Sequence, residues 1–523
     1  MKNTLSAIII LIILCSCTKN NKPDIVEITK VPGKPSGIPF KNYLGINVFE
    51  WDFVENNKTS VITEKRMDLI KSFGGIRHYL DWEKLEHTEG QYTFNPSHSG
   101  GWYYDIIYQR TKDEGIDIIT CLKTIPDWLI NTYPEDKRNN ENVPAPYGLD
   151  KRNPTSYIKQ AKMAFQFAAR YGSNKNINPE LVTVNKSLRW NGDDPNTVKI
   201  GLNLVKYIEC DNERDKWWKG KQAEQTPEEY AANLSAFYDG NKGKLGKNVG
   251  VKTADPKMMV VMGGLATADP NYVVRMIQWC KKNRGLKNGK VDLCFDVINY
   301  HLYANNAFLN NGKATKGVAP ELSEIGKVAD SFLKMAKNYA PGMEVWLTET
   351  GYDIGSKTPQ RAIPIGSKTS SITQADWNLR TALLYARHGI QRCMFYMLDD
   401  VDFNSPVQYN SSGFHNDDLS PRPSADYMLQ TKKLIGNYSY SGTLNNQPIV
   451  DLYTKDKKQI YVLVVPDQKG QKVKYQLNLL GAKQAIVHSI QIGKDEMSHK
   501  TVSTTNGKLT IEVTETPIFV EKI

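Results

Sequence analysis

The stretch LVKYIECDNE, residues 204–213, is an apolar run that ends in two polar residues, Asn212 and Glu213. A continuous apolar run of this length is typical of a strand that is covered on both faces. A second run, EVWLTETGY at 344–352, has the same form and carries Glu349 close to its end. Each stretch therefore places a carboxylate at the end of a predicted buried strand.

Six further apolar runs of similar length lie before, between and after these two. Amphipathic helical patterns separate most of them, and one opens with Thr226, Pro227 and Glu229, which predict an N-terminal capping box. Eight strands alternating with helices predict an α/β fold, a (β/α)₈ TIM barrel over residues 43–436. The eight candidate strands are 43–49, 75–80, 116–122, 204–210, 258–264, 295–303, 344–349 and 391–398.

The pattern changes in the last part of the chain. The runs at 460–466, 473–480, 485–492 and 509–523 alternate polar and apolar residues with a period of two, and turn residues separate them. We therefore expect a C-terminal antiparallel β-sandwich over residues 437–523.

Functional side chains of a TIM barrel lie at the C-terminal ends of its strands. Two glutamates at one barrel mouth are what hydrolysis of a glycoside by double displacement requires. We expect Glu349 to act as the nucleophile and Glu213 as the general acid and base. The predicted strand ends carry Arg77, Asn212, Glu213, His301, Tyr303 and Glu349.

The other residues of this set have supporting roles in the prediction. Arg77 and Tyr303 are expected to keep the nucleophile ionised through charge and hydrogen bonding. Asn212 is expected to donate to the sugar 2-hydroxyl, a contact that strengthens in the transition state. His301 either orients Glu213 or binds a sugar hydroxyl. A single glutamate at a strand end is more often an ion-pair partner, so the prediction depends on the pair.

Tryptophans near these strand ends are candidates for stacking on sugar rings. Trp217 and Trp218 follow Glu213 directly and are the preferred pair, and Trp82 follows the second predicted strand. Packing in the core is the alternative for each of them. Asp399, at the end of the eighth predicted strand, is a further candidate for contact with substrate.

Several of these motifs resemble those of clan A glycoside hydrolases, the retaining superfamily whose acid/base follows strand four and whose nucleophile follows strand seven. The resemblance rests on E-x-x-N-E at 209–213, W-L-T-E-T-G-Y at 346–352 and LDWEKLEHTEGQYTFNP at 80–96. It spans about residues 43–523, with features of families 39, 30, 51 and 5. It implies the barrel, the appended sandwich, the retaining reaction and the roles of the two glutamates.

Two positions depart from the clan pattern. The run MFYMLDD at 394–400 lacks the Trp that many members carry at the end of strand eight, at the floor of the −1 subsite. Arg214 follows the predicted acid/base, where Pro is common. Neither departure removes a catalytic group.

The N-terminus predicts a targeting segment. Lys2 is followed by the apolar run AIIILIILCSC, which is shorter than the roughly 20 residues of a spanning helix. Leu14–Cys17 resembles a bacterial lipobox, so we expect a signal peptide at 1–16, lipidation of Cys17 and a lipidated tether at 17–42. These features predict a bacterial lipoprotein of the outer membrane or cell surface that contacts the membrane only through its lipid. An uncleaved anchor helix is the alternative.

The formal net charge is +11, and most of it comes from lysines scattered along the chain. A solvated surface is the simplest interpretation, and weak attraction of an acidic glycan is a second. The sequence carries no recognisable nucleic-acid module. The five cysteines after Cys17 form no CxxC pair and predict buried thiols, and the eight histidines lack metal-site spacing. We expect no metal, no cofactor and a monomer.

The sequence thus predicts a retaining β-glycoside hydrolase that cleaves a polysaccharide or oligosaccharide. Surface anchoring and long loops favour endo action. The partner is a carbohydrate, with an acidic glycan among the options. A non-catalytic glycan-binding lipoprotein on the same scaffold is the alternative, and the intact glutamate pair argues against it. A nucleic-acid binder is a third hypothesis, which predicts a steep loss of affinity with salt.

Overall fold

The computed structural model describes residues 35–55 and 57–523. The predicted signal peptide, Cys17 and most of the predicted tether lie outside the described residues. Within the described part of the chain, no helix combines the length and the apolar character needed to cross a membrane.

Eight parallel strands close into a barrel, and each strand pairs with its neighbours in chain order until the eighth meets the first. All eight predicted strands are present, and the structure confirms the predicted TIM barrel. The predicted runs exceed several of the strands because the apolar residues at their ends continue into loops. The barrel strands, one to eight, are Gly45–Val48, Gly75–Asp81, Asp117–Lys123, Tyr207–Cys210, Met259–Met262, Val297–His301, Glu344–Thr350 and Arg392–Phe395.

Helices surround the barrel, as the amphipathic patterns predict. Thr226 caps Pro227–Asp239 through the predicted capping box, and the helix ends at Gly240, which adopts a left-handed conformation. The longer helices are Glu64–Ile70, Tyr104–Asp113, Ile158–Tyr171, Pro227–Asp239, Pro270–Asn283, Ile325–Tyr339, Ser370–His388 and Pro423–Ile435. Single helical turns occur at Trp82–Leu85, Asp127–Ile130 and Val251–Ala254. A short hairpin, Leu286–Lys287 with Lys290–Val291, lies between strands five and six.

The barrel interior is filled at its N-terminal end by large side chains. Tyr207, Trp346 and Met394 belong to one buried cluster contributed by strands four, seven and eight. This cluster fills the N-terminal end of the barrel, so ligands approach the barrel from the C-terminal ends of the strands.

The C-terminal region consists of antiparallel sheets, as predicted. Leu477 and Leu509 of a two-stranded sheet pack with Val450 and Leu463 of a six-stranded sheet in one core. The six-stranded sheet has the spatial order Ser439–Asn446, Ile449–Lys455, Lys458–Val464, Ile518–Lys522, Gln484–Ser489, Ser498–Ser503, and the second sheet pairs Val473–Asn478 with Lys508–Val513. The predicted strand at 509–523 is two strands, because Pro517 falls between them.

The chain joins the fold before strand one. The Ser36 amide donates to the Tyr440 carbonyl at 2.8 Å, and the buried Phe40 ring lies edge-on to Tyr453 at 5.2 Å. Residues from Ser36 onward therefore contact the folded domains, although the sequence predicts residues 17–42 as a tether.

Candidate active site

Glu349 lies in the barrel mouth because strand seven bulges there. The pairing register shifts next to Glu349 on both neighbouring strands. Simple alternation from the inward-facing Trp346 would turn Thr348 inward and Glu349 outward. The bulge brings both side chains to the inside, since Thr348 contacts His301 and Glu349 contacts Arg77.

Three donors surround the Glu349 carboxylate. Arg77 donates to Oε1 at 2.8 Å, Tyr79 donates to the same oxygen, and Tyr303 donates to Oε2 at 3.0 Å. Burial alone would raise the pKa of Glu349, but the charges of His301 and Arg77 and the Tyr79 hydrogen bond outweigh it and lower the pKa. Glu349 is therefore held as a carboxylate.

Glu213 approaches from strand four through a strained turn. Asp211 has φ = 68° and Glu213 has φ = 49°, values that non-glycine residues adopt rarely and that concentrate at functional sites. The Glu213 amide donates to the Gly264 carbonyl at 3.1 Å. Its carboxylate lies 2.8 Å from His301 Nδ1, and its side chain is 20% exposed. Glu213 thus faces the cleft more openly than Glu349 does.

The two glutamates lie close together. One oxygen of Glu213, one oxygen of Glu349 and one ring nitrogen of His301 all lie within 4.8 Å of one another. Such a trio has ligand types that bind metal ions. However, the Arg77 guanidinium already neutralises Glu349 and would repel a divalent ion from the same position.

A chain of hydrogen bonds holds the His301 ring in place. His301 Nε2 lies 3.0 Å from the Thr348 hydroxyl, Thr348 bonds Asn299, and Asn299 donates to Glu209 at 3.0 Å. Burial would lower the pKa of His301, but Glu349 and Glu213 together raise it. The ring therefore keeps a proton for the hydrogen bond to Glu213 when the two carboxylates are charged.

Gly264 gives a direct test of this arrangement, because a Cβ built on it would overlap the His301 ring. We expect Gly264→Ala to push the ring off Glu213 and to lower kcat by about 10²-fold, the scale of an ångström-sized misplacement. Steady-state turnover and thermal unfolding measure the effect. Gly75→Ala in strand two is the matched control, because its Cβ meets neighbours no closer than 3.5 Å. An equal loss of kcat in Gly264→Ala and Gly75→Ala would show that the loss does not come from displacement of the His301 ring.

Asn212 is oriented by its neighbours. Its Oδ1 accepts from Arg77 at 2.8 Å and from Tyr79 at 3.3 Å. Because Arg77 can only donate, the amide oxygen must face it and Nδ2 must point away. Among the described residues none accepts from Nδ2, so this donor remains for a ligand.

A cleft of about 540 Å³ opens above these residues. Aromatic side chains of Phe49, Tyr79, Tyr303, Tyr396 and Tyr409 line it. Trp218 also lines it and is 48% exposed, and Trp217 beside it is 67% exposed. The structure therefore leaves both tryptophans open for stacking, although only Trp218 lines the cleft itself.

One predicted substrate contact, Trp82, is wrong, and a second, Asp399, lies outside the lining of the cleft. Trp82 is fully buried, donates to Glu86 at 2.6 Å and packs edge-on against Trp128, so it is a core residue. Asp399 does not line the cleft in the described chain. Its carboxylate is engaged by the His415 ring and lies 3.9 Å from Arg66.

Three tyrosines of the cleft, Tyr79, Tyr396 and Tyr409, were not predicted from the sequence. Tyr79 is two residues after Arg77 on strand two, so the period of a strand places both side chains on the same face. That spacing was a usable signal. Tyr396 follows strand eight directly and lines the cleft. An aromatic ring therefore lies next to the end of strand eight.

No family model matches the sequence, and no curated protein matches it either. Solved structures do match. A family 39 glycoside hydrolase from Bacteroides cellulosilyticus WH2 has a TM-score of 0.61 at 17% identity, covering 93% of this chain and 82% of its own. A family 51 α-L-arabinofuranosidase from Bifidobacterium longum has a TM-score of 0.53 at 12% identity, covering 94% and 98%. A family 44 xyloglucanase from Paenibacillus polymyxa has a TM-score of 0.51 at 10% identity, again covering 94% and 98%.

These matches span both the barrel and the C-terminal sheets. The chain therefore has the fold of clan A glycoside hydrolases, as the resemblance of its motifs predicted. The similar structures belong to several families, so the likeness does not favour one family.

Proposed function

We propose that the protein is a retaining β-glycoside hydrolase, with Glu349 as the nucleophile and Glu213 as the general acid and base. The observation that carries this proposal is that one carboxylate oxygen of Glu213 lies within 4.8 Å of one carboxylate oxygen of Glu349, so both groups can reach one glycosidic bond. Retaining enzymes hold their carboxyl groups roughly 5–5.5 Å apart, whereas inverting enzymes leave roughly 6.5–9.5 Å for a water molecule.

The unequal surroundings of the two glutamates support their unequal roles. The ionised Glu349 attacks the anomeric carbon while Glu213 protonates the oxygen of the leaving sugar. This step consumes the negative charge of Glu349 and forms the glycosyl-enzyme. Glu213, now a carboxylate beside His301, takes a proton from water, which attacks the anomeric carbon and releases Glu349.

Neighbouring residues stabilise the transition state of both steps. Asn212 Nδ2 is aimed away from Arg77 and donates to the sugar 2-hydroxyl, where the hydrogen bond strengthens as positive charge develops on the ring. Tyr303 keeps its hydrogen bond to Glu349 Oε2 until the attacking oxygen gives up its charge.

We propose a polysaccharide as the substrate and endo action as the mode of cleavage. Trp217 and Trp218 extend an aromatic surface beyond the two glutamates. The similar family 44 structure is itself named a xyloglucanase.

The test is to incubate the protein with a panel of polysaccharides, to size the products and to follow the anomeric proton of the first product by NMR. We expect β-configured product at early times, which then equilibrates. First-formed α product from a β-linked polymer would show inversion. Binding of a polymer without cleavage would favour the alternative, a glycan-binding lipoprotein on the same scaffold.

A further inference from the structure

Two lysines line the wall of the cleft that follows Glu213. Lys216 and Lys219 both contact Glu141, at 3.0 Å and 2.9 Å. Among the described ion pairs, Glu141 is the one carboxylate that contacts either lysine. Two ammonium groups therefore share a single carboxylate as their ion-pair partner.

The other lysine of the cleft does not share this property. Lys123 contacts Asp81 at 3.0 Å. Lys84 bridges Asp81 to Glu50, at 3.0 Å and 2.9 Å. That group contains two lysines and two carboxylates and is balanced. Two lysines with one carboxylate between them are thus specific, among the cleft lysines, to the wall formed by Glu141, Lys216 and Lys219, which we call the lysine wall.

The lysine wall is rigidly built. Arg214 donates to the carbonyls of Asn142 and Ala223 and pairs with Asp211 at 2.6 Å. Asp215 accepts from the amides of Ala266 and Thr267, which ties the same loop to the end of strand five. Lys216 is only 3% exposed, so burial lowers its pKa, and the nearby Arg214 lowers it further. A buried, incompletely neutralised ammonium group favours the approach of an anion.

The proposed reaction indicates which sugar unit of the substrate lies beside the lysine wall. A general acid must lie within hydrogen-bond reach of the leaving-group oxygen. Residues 214–219 continue directly from Glu213, so the lysine wall lies next to the residue that would protonate the leaving-group oxygen. The exposed face of Trp218 stands beside Lys219 and supplies a surface on which that sugar ring can stack.

We infer that the substrate is an acidic glycan whose leaving-group sugar carries a carboxylate or sulfate, and that Lys216 and Lys219 bind this anion beside Trp218. This inference rests on the proposed function. It predicts an asymmetric cleft, in which the side that holds the glycosyl-enzyme accepts a neutral sugar and the leaving-group side selects a charged one.

The experiment starts from the polymer that wild type degrades best in a panel of uronate-containing, sulfated and neutral polysaccharides. Its charge is then removed chemically, by carboxyl reduction for a uronate polymer or by desulfation for a sulfated one. We expect the best polymer to be acidic and kcat/KM to fall about tenfold or more when its charge is removed. The two chemical treatments distinguish a carboxylate from a sulfate as the recognised group.

Variants of the lysine wall separate charge recognition from a structural role. Lys219 is 40% exposed, so Lys219→Gln removes one charge without opening the core. We expect it to raise KM on the acidic polymer about tenfold with kcat nearly unchanged, and Lys219→Arg to restore KM. Glu141→Gln removes the shared carboxylate and should lower KM. A structural role predicts weaker binding in both variants. Lys337→Gln, on the outer helix Ile325–Tyr339, is the matched loss of charge away from the cleft.

A neutral best substrate, or an unchanged kcat/KM after charge removal, would overturn the inference while leaving the proposed hydrolase intact. Hydrolysis that survives Glu349→Gln, or no hydrolysis of any polymer by wild type, would instead overturn the proposed function, and the inference with it.

Discussion

Replacing Glu349 by Gln is expected to lower kcat by about 10⁴-fold or more, because an amide cannot form the covalent glycosyl-enzyme. The amide keeps the size of the carboxyl group; its oxygen can still accept from Arg77 and Tyr79, and its nitrogen can donate to the Tyr303 hydroxyl. The variant should therefore fold and bind glycan. Turnover of the best polymer, together with binding of the same polymer in a native affinity gel, measures the two properties separately.

Two controls make this result specific to the nucleophile. Glu344→Gln removes a carboxylate from the opposite, exposed end of the same strand and should leave kcat unchanged. Glu349→Gly leaves room for azide, which should restore turnover of an activated aryl glycoside and give a glycosyl azide of inverted configuration. Undiminished turnover in Glu349→Gln, with deamidation excluded by mass, would assign the nucleophile elsewhere.

Replacing Glu213 by Gln should have an effect that depends on the leaving group. A sugar leaving group needs a proton, so kcat/KM should fall about 10³-fold, within the usual range for a general acid. A dinitrophenyl leaving group departs without a proton, so kcat/KM should fall by less than about tenfold, since only the contacts of the side chain change. Michaelis kinetics on both substrates gives the comparison.

Hydrolysis of the glycosyl-enzyme, the second step of the reaction, tests the role of Glu213 independently in the Glu213→Gln variant. Without Glu213 as base, the glycosyl-enzyme should accumulate, and a burst of dinitrophenol should precede slow turnover. Azide needs no base and should accelerate the slow phase. Equal losses for the two leaving groups would show that Glu213 positions the substrate instead of donating the proton.

The barrel could be predicted because its strands are buried on both faces and are nearly continuous in apolar residues. The sandwich could be predicted only in part. The strands Ser439–Asn446 and Ser498–Ser503 are rich in Ser, Asn, Thr and Lys, and their order depends on pairing with distant strands rather than on local pattern. The strand Ile449–Lys455 was missed, and its residues IVDLYTK mix polar and apolar side chains without a period of two.

The site divides in a similar way. The sequence predicts Asn212, Glu213, His301 and Glu349 at or next to strand ends, and strand ends of a closed barrel must meet, so the structure brings them together. Arg77 was also predicted at a strand end, but it lies within strand two and reaches Glu349 through its long side chain. The direction of a side chain beyond a strand end depends on tertiary contacts. Trp82 turns into the core to bond Glu86, and Asp399 is drawn to His415, which no local pattern signals.

The place where the chain enters the fold has a consequence for how the protein would meet the proposed polysaccharide. Phe40 and Leu44 precede strand one, and the Gly74 amide, just before strand two, donates to the Leu44 carbonyl at 2.7 Å. The entry segment therefore lies at the closed end of the barrel, and Glu213 and Glu349 lie at the open end. An N-terminal lipid, as predicted from the lipobox, would attach the protein to the membrane on the side of the closed end of the barrel. The cleft would then point outward, and a long polysaccharide could be drawn across it without touching the membrane.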